Sequence, residues 1–102
     1  MKVLAEVCII PIHGATSLRK EIAHAHAILK GTGCNVELHS YGTNIEGDFD
    51  IIMNAIKKVH TTLHATGTMR IHTSLKISSR IDKEQTLQDK VDAVKTILRE
   101  SK

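Results

Sequence analysis

The sequence predicts an α+β fold in which one antiparallel sheet carries helices on one face. Three observations predict it. Stretches of alternating apolar and polar residues and stretches with helical apolar spacing succeed one another as strand, helix, strand, strand, helix, strand, helix. Glycine-rich or polar turn segments separate them. The chain of 102 residues suits one domain, and with one Phe, one Tyr and no Trp its 41% of apolar residues must build a core from Ile, Leu, Val, Ala and Met.

The first element is a strand over Val3 to Ile12, rich in β-branched residues and closed by Pro11 and Gly14. Val3, Ala5, Val7 and Ile9 share one face, and Leu4, Glu6, Cys8 and Ile10 the other. Both faces are largely apolar, so both are expected to be covered, with Glu6 as the exception. Thr16 or Ser17 can cap a helix running to about Lys30, striped by Leu18, Ile22, Ala25 and Leu29 and ended by the Gly-Thr-Gly at 31–33. His24 and His26 lie two apart and point to different sides of that helix, which argues against a shared metal.

Asn35 to Tyr41 alternates Val36, Leu38 and Ser40 against Glu37, His39 and Tyr41, a strand with unlike faces. Gly42 turns the chain and Thr43 to Gly47 returns it. Gly47 is expected to permit a tight turn into the next helix, capped by Asp48 and reaching about Ala65. Its stripe is Phe49, Ile52, Met53, Ile56, Val59 and Leu63. Met69 to Ser79 is the longest alternating run and reads as a strand with one core face. Asp82 with Gln85 resembles a capping box opening a last helix, striped by Leu87, Val91, Val94 and Leu98. Two β-α-β units joined by a hairpin give a ferredoxin-like βαββαβ sandwich, residues 1–102 as a single domain, with an additional C-terminal helix; right-handed crossovers place the two crossover helices on one face.

Charge and composition narrow the function classes. The net charge is +3 and the 14 basic residues form no tract, while single-stranded nucleic acid needs stacking aromatics that are nearly absent here. No nucleic-acid partner is expected. The segment "MKVLAEVCIIPIHG" is apolar over too short a distance for a membrane span or signal and carries Glu6, so the expected location is the cytoplasm, away from membranes. Cys8 and Cys34 lack metal or redox spacing and read as reduced thiols.

Metal chemistry and catalysis find little support. His60 and His64 are spaced i and i+4 on a helix face, but "HTTLH" has no Glu after its first His and no evident third ligand, so no metal is expected. A nucleophile at Cys8 with His72 as base would need an oxyanion hole that nothing in the sequence supplies, and a buried structural thiol is the better reading. Gly42 and Gly47 belong to no phosphate-loop pattern. Arg80, Asp82 and Lys83 could form an anion site or fix the helix start, and capping is the preferred reading. The chain is therefore read as a non-enzyme with no cofactor.

The predicted topology puts the first strand between the last strand and the return strand of the hairpin. Glu6, Cys8 and Ile10 then point to the open face with Arg70, His72 and Glu46, and these side chains are expected to converge. Buried charges must pair with each other or with a ligand. A self-satisfied salt-bridge network at a dimer interface answers that requirement as well as a binding site does.

Ala5-Glu6-Val7 through Pro11, "HSYGTNIEGDFD" and "RIHTSLKISSRIDKEQTLQDKVDAV", taken with the length, resemble the thiamine-binding-protein family, small proteins formerly uncharacterised. "GTNIEG" and "RIHT" are the most specific parts. The resemblance implies a ferredoxin-like fold, homodimers often paired into homotetramers through their sheets, and binding of thiamine or its hydroxymethylpyrimidine moiety. An aminopyrimidine offers ring nitrogens and an exocyclic amine to carboxylates and hydroxyls. On that basis Glu46, Thr43, Ser40 and Glu6 are the expected ligand-binding residues, with Arg70 and His72 second, in a polar pocket on the oligomer-covered sheet face. The alternative is a structural or regulatory homo-oligomer that binds nothing; an enzyme acting on a small metabolite is a third reading.

Overall fold

A computed structural model describes residues 1–13 and 18–101. Its elements are β1 (Lys2–Ile12), α1 (Arg19–Lys30), β2 (Asn35–His39), β3 (Gly42–Asp48), α2 (Phe49–Ala65), β4 (Arg70–Ser78) and α3 (Leu87–Glu100). The four strands form one antiparallel sheet in the order β2-β3-β1-β4, with β1 between the hairpin and the last strand as the sequence predicts.

Alternation on β1 decides which face is the core. Val3, Ala5, Val7 and Ile9 pack with Ile45 of β3, Val36 of β2, Ala25 and Leu29 of α1, and Ile52, Ala55, Ile56, Val59 and Leu63 of α2. Each fully buried Val, Leu or Ile contributes about 1.5–3 kcal/mol relative to exposure. This face therefore carries most of the stability. Both crossover helices lie on it, because their apolar stripes repeat every three or four residues and have no other surface to cover.

Element ends show where local chemistry overrides the sequence pattern. Asp48 caps α2 as expected, its carboxylate accepting from the backbone N–H groups of Asp50 and Ile51 at 3.1 and 3.3 Å. The Met1 amino group beside it and the N–H of Ile51 hold its carboxyl below the usual carboxylate range. Met53, expected in the stripe, is 40% exposed, and Ala55 is buried instead. Gly47 adopts no positive φ; a Cβ there would stand 2.5 Å from Cys34 Sγ, so the missing side chain makes room for the thiol rather than for a turn. Thr16 and Ser17 lie outside the described residues, and Leu18, at the N-cap position of α1, supplies no side-chain cap.

The last helix differs most from expectation. Its cap is Thr86, whose hydroxyl accepts from Asp89 N–H while the Asp89 carboxylate accepts from Thr86 N–H. Asp82, expected to cap it, is bound by Arg80, whose Nε donates to Oδ1 at 2.7 Å and holds the carboxyl down to about 2; Arg80 Nη1 reaches Gln85. Both candidates of the predicted box are thereby taken by one guanidinium. No residue of α3 is buried, and Val91, Val94, Ile97 and Leu98 of its stripe are exposed. Among the described residues no helix is long and apolar enough to cross a membrane.

Candidate functional site

Strand register sorts the polar residues of the open face into rows. Asn35, Glu46, Leu4 and Ser78 lie side by side across the four strands, and Glu37, Asn44, Glu6 and Lys76 form the next row. Glu46 is only 7% exposed. Asn35 Nδ2 donates to its Oε1, and Lys2 Nζ stands 3.7 Å from its Oε2, which has no hydrogen bond. Glu6 lies opposite Lys76, and its Oε2 is 3.2 Å from His39 Nε2. Each carboxylate thus has a protein neighbour, while Glu46 Oε2 keeps an unfilled hydrogen-bonding position.

The six expected ligand residues do not converge. β4 runs antiparallel to β1, so Arg70 and His72 pair with Ile12 and Ile10, whereas Glu46 neighbours Leu4, whose partner on β4 is Ser78. Eight residues of strand separate Arg70 from Ser78, roughly 26 Å at the usual rise. Thr43 faces the helices and is 6% exposed, and Ser40 lies in the turn between β2 and β3. The expected cluster on the open face therefore resolves into Glu6 and Glu46 on neighbouring rows, Arg70 and His72 at the far end, and Ser40 with Thr43 elsewhere.

What Ser40 and Thr43 do share is a cavity of about 210 Å³ between α1 and the β2–β3 turn. β3 pairs with β1 only as far as Val7, so from Cys8 to Ile12 the sole neighbouring strand of β1 among the described residues is β4. The space beside Ile9 and Ile10 stays open. Val7, Ile9, Ala25, Leu29 and Leu38 give the cavity apolar walls, and Leu18 and Ile22 of the α1 region complete them. His26, His39, Ser40, Tyr41 and Thr43 contribute the polar groups. An apolar chamber with a few fixed polar groups suits a small heteroaromatic ring.

His26 is the residue that sequence reasoning missed. Its Nδ1 is buried and has no hydrogen-bond partner, a state that costs about 1–3 kcal/mol in a protein interior. A signal was present: His26 stands four residues after Ile22 and three before Leu29, on the apolar stripe itself. Reading it only against His24 hid that position.

The other sequence candidates are accounted for within the fold. His60 Nε2 bonds Thr73 Oγ1 at 2.6 Å, and His64 Nδ1 donates to the Thr68 carbonyl at 2.7 Å, so the pair ties α2 to β4 and the segment before it. Among the described residues no three metal-ligating side chains gather. Cys8 lies opposite Ser74 while His72 faces Ile10, and Cys34 packs beside Gly47 on the helix side; both thiols are free. A second cavity of about 330 Å³, lined by Lys2, Leu4, Ser78, Arg80 and Lys83, opens beside the β4–α3 connection. Its guanidinium is already engaged by Asp82 and Gln85.

Comparison with known proteins agrees with this architecture. A UPF0045 protein of Synechocystis sp. is 37% identical over 101 residues, covering 99% of this chain and 84% of that one. The crystal structure of a hypothetical protein from Methanocaldococcus jannaschii matches with a TM-score of 0.84 at 40% identity, covering 91% of this chain and 95% of that one. A Thermotoga maritima protein proposed to act in thiamine biosynthesis or salvage has the same fold, with a TM-score of 0.80 at 23% identity over 92% of this chain and 99% of that one. The model of the thiamine-binding protein family matches residues 5–95, so the chain belongs to that family.

Proposed function

We propose that this protein is a cytoplasmic small-molecule binding protein, not an enzyme, and that it takes thiamine or its hydroxymethylpyrimidine moiety in the cavity between α1 and the β2–β3 turn. The observation that carries this reading is the chamber itself: apolar walls, the Thr43 and Ser40 hydroxyls, and a His26 nitrogen that lacks a protein partner. Family membership supports the ligand class. A volume of about 210 Å³ is below the range common for drug-sized ligands, so the pyrimidine ring enters and any thiazolium stays at the mouth, where Tyr41 is 86% exposed. A ligand donating to His26 Nδ1 recovers a hydrogen bond that the protein alone leaves unmade.

The same reading includes self-association as a dimer or tetramer. The exposed stripe of α3, Val91, Val94, Ile97 and Leu98, supports it, since such a face ordinarily gains by being covered. That stripe also favours the second reading, a structural homo-oligomer without a ligand. Calorimetric titration with thiamine and with hydroxymethylpyrimidine separates the two. Saturable binding to the wild type, about tenfold weaker in Thr43→Val, supports the cavity as the site. Absence of binding in the wild type leaves the structural oligomer, and recovery of a chemically altered compound would establish an enzyme.

A further inference from the structure

We infer that His39 is a pH-sensitive latch on the rim of the cavity, holding the β2–β3 turn in place when its imidazole is neutral and releasing it when protonated. The backbone N–H of Tyr41 donates to His39 Nδ1 at 3.2 Å. A backbone amide can only donate, so Nδ1 carries a lone pair and the neutral ring holds its proton on Nε2. That nitrogen is buried and stands 3.2 Å from Glu6 Oε2, close enough for an ion pair but not aligned as a hydrogen bond. The ring therefore stands between a turn amide, from which it accepts, and a carboxylate two strands away.

Adding a proton changes one of these contacts in sign. Protonated Nδ1 would face the Tyr41 N–H donor to donor, so the turn must give up that hydrogen bond. The Glu6 contact strengthens at the same time and keeps the ring over the sheet while the turn lets go. Imidazole is the side chain that changes charge between about pH 5 and 8. Ser40, Tyr41 and Gly42, which the latch fixes, all line the cavity.

The groups around His39 make it the one placed to act on the turn. On β1, Glu6 is its charged neighbour and Cys8 lies beside Gly42. On β3 the nearby residues of the same face, Gly42 and Asn44, carry no charge. Glu37 shares its strand and face, Lys76 of β4 lies beyond Glu6, and from α1 the titratable group at the cavity is His26. None of these accepts a hydrogen bond from the turn.

The test follows the Tyr41 amide and the His39 ring by nitrogen-15 NMR from pH 8 to pH 5, without ligand, in the wild type and in His39→Asn. Asn offers a non-titrating oxygen near the place of Nδ1. The Tyr41 amide should shift and exchange faster as the wild-type imidazole titrates, and should stay fixed in the variant. Glu6→Gln, which removes the anion but keeps the Nδ1 acceptor, should leave the Tyr41 amide response in place. Binding of hydroxymethylpyrimidine, an arm that rests on the proposed function, should weaken about tenfold more in the wild type than in His39→Asn over the same range, the size of one hydrogen bond. The comparison matters because the aminopyrimidine is itself a weak base. A Tyr41 amide indifferent to His39 titration, or an equal loss of affinity in both proteins, would overturn the latch and point to His26 or the ligand. If neither protein binds the compound, the proposed function fails and the amide titration alone decides the latch.

Discussion

The two faces of the sheet are built from the same strands by alternate residues, yet they do different work. The face toward α1 and α2 holds the buried aliphatic core, and the cavity opens at its margin, where Cys8, Ile10 and His39 of the other face also line it. The opposite face carries Glu6, Glu37, Lys76 and Glu46, spaced by register, with His39 beside Glu6 and Asn35 and Lys2 beside Glu46. The difference teaches that polar side chains can share a sheet face without converging, while an enclosed space forms where apolar packing stops short.

The sharpest way to break this comparison is to truncate two consecutive residues of β3. Ile45 is fully buried on the helix face, and Ile45→Ala should cost about 2–5 kcal/mol in urea unfolding. Asn44, one residue earlier and on the open face, should lose less than about 0.5 kcal/mol when changed to Ala. Equal losses would mean that both faces carry the fold.

Gly47 offers a finer probe. A methyl group there would meet Cys34 Sγ at 2.5 Å, so Gly47→Ala should destabilise by about 1–3 kcal/mol, the usual cost of overpacking. Cys34→Ala removes the sulfur and leaves only the Cβ contact at 3.1 Å. In the double variant most of the Gly47→Ala loss should disappear, and a simple sum of the single losses would show that the thiol is not the cause.

The smallest effect lies outside both faces, at the Arg80–Asp82 pair. The folded pKa of Asp82 is lowered to about 2, chiefly by its hydrogen bonds to Arg80. A depressed carboxylate contributes stability above its unfolded value, and that contribution fades as pH falls from about 4 toward 2. The pair is exposed and screened by salt. The Tm gap between wild type and Asp82→Asn should be small at pH 5 and closed near pH 2; a gap that stays constant would remove the ion pair as its cause.

The strand order and the core face were legible because they follow from period and topology. Val3, Ala5, Val7 and Ile9 alternate cleanly, and a hairpin between two crossovers leaves β1 a central place. The site was less legible for two physical reasons. Side-chain direction puts Arg70 and Glu46 on one face, but position along antiparallel strands carries Arg70 away from Glu46. The cavity depends on where β3 stops pairing, a three-dimensional fact, and on His26, whose chemistry looked like that of any helix histidine. The cap of α3 is hard to see in the sequence because Thr86 with Asp89 competes with an equally plausible pair four residues earlier, Asp82 with Gln85, which serves Arg80 instead.

The early end of the β1–β3 ladder has a consequence for how such a chamber can change. Because the space exists where one strand falls short of another, it was not hollowed out of the packed layer and leaves Ile45, Val59 and Leu63 untouched. Its depth is set by the length of a hairpin and its roof by one helix. Adding or removing residues at the β2–β3 turn would resize it as one adjusts a drawer in its frame, giving a single scaffold a series of differently sized compartments without rebuilding its interior.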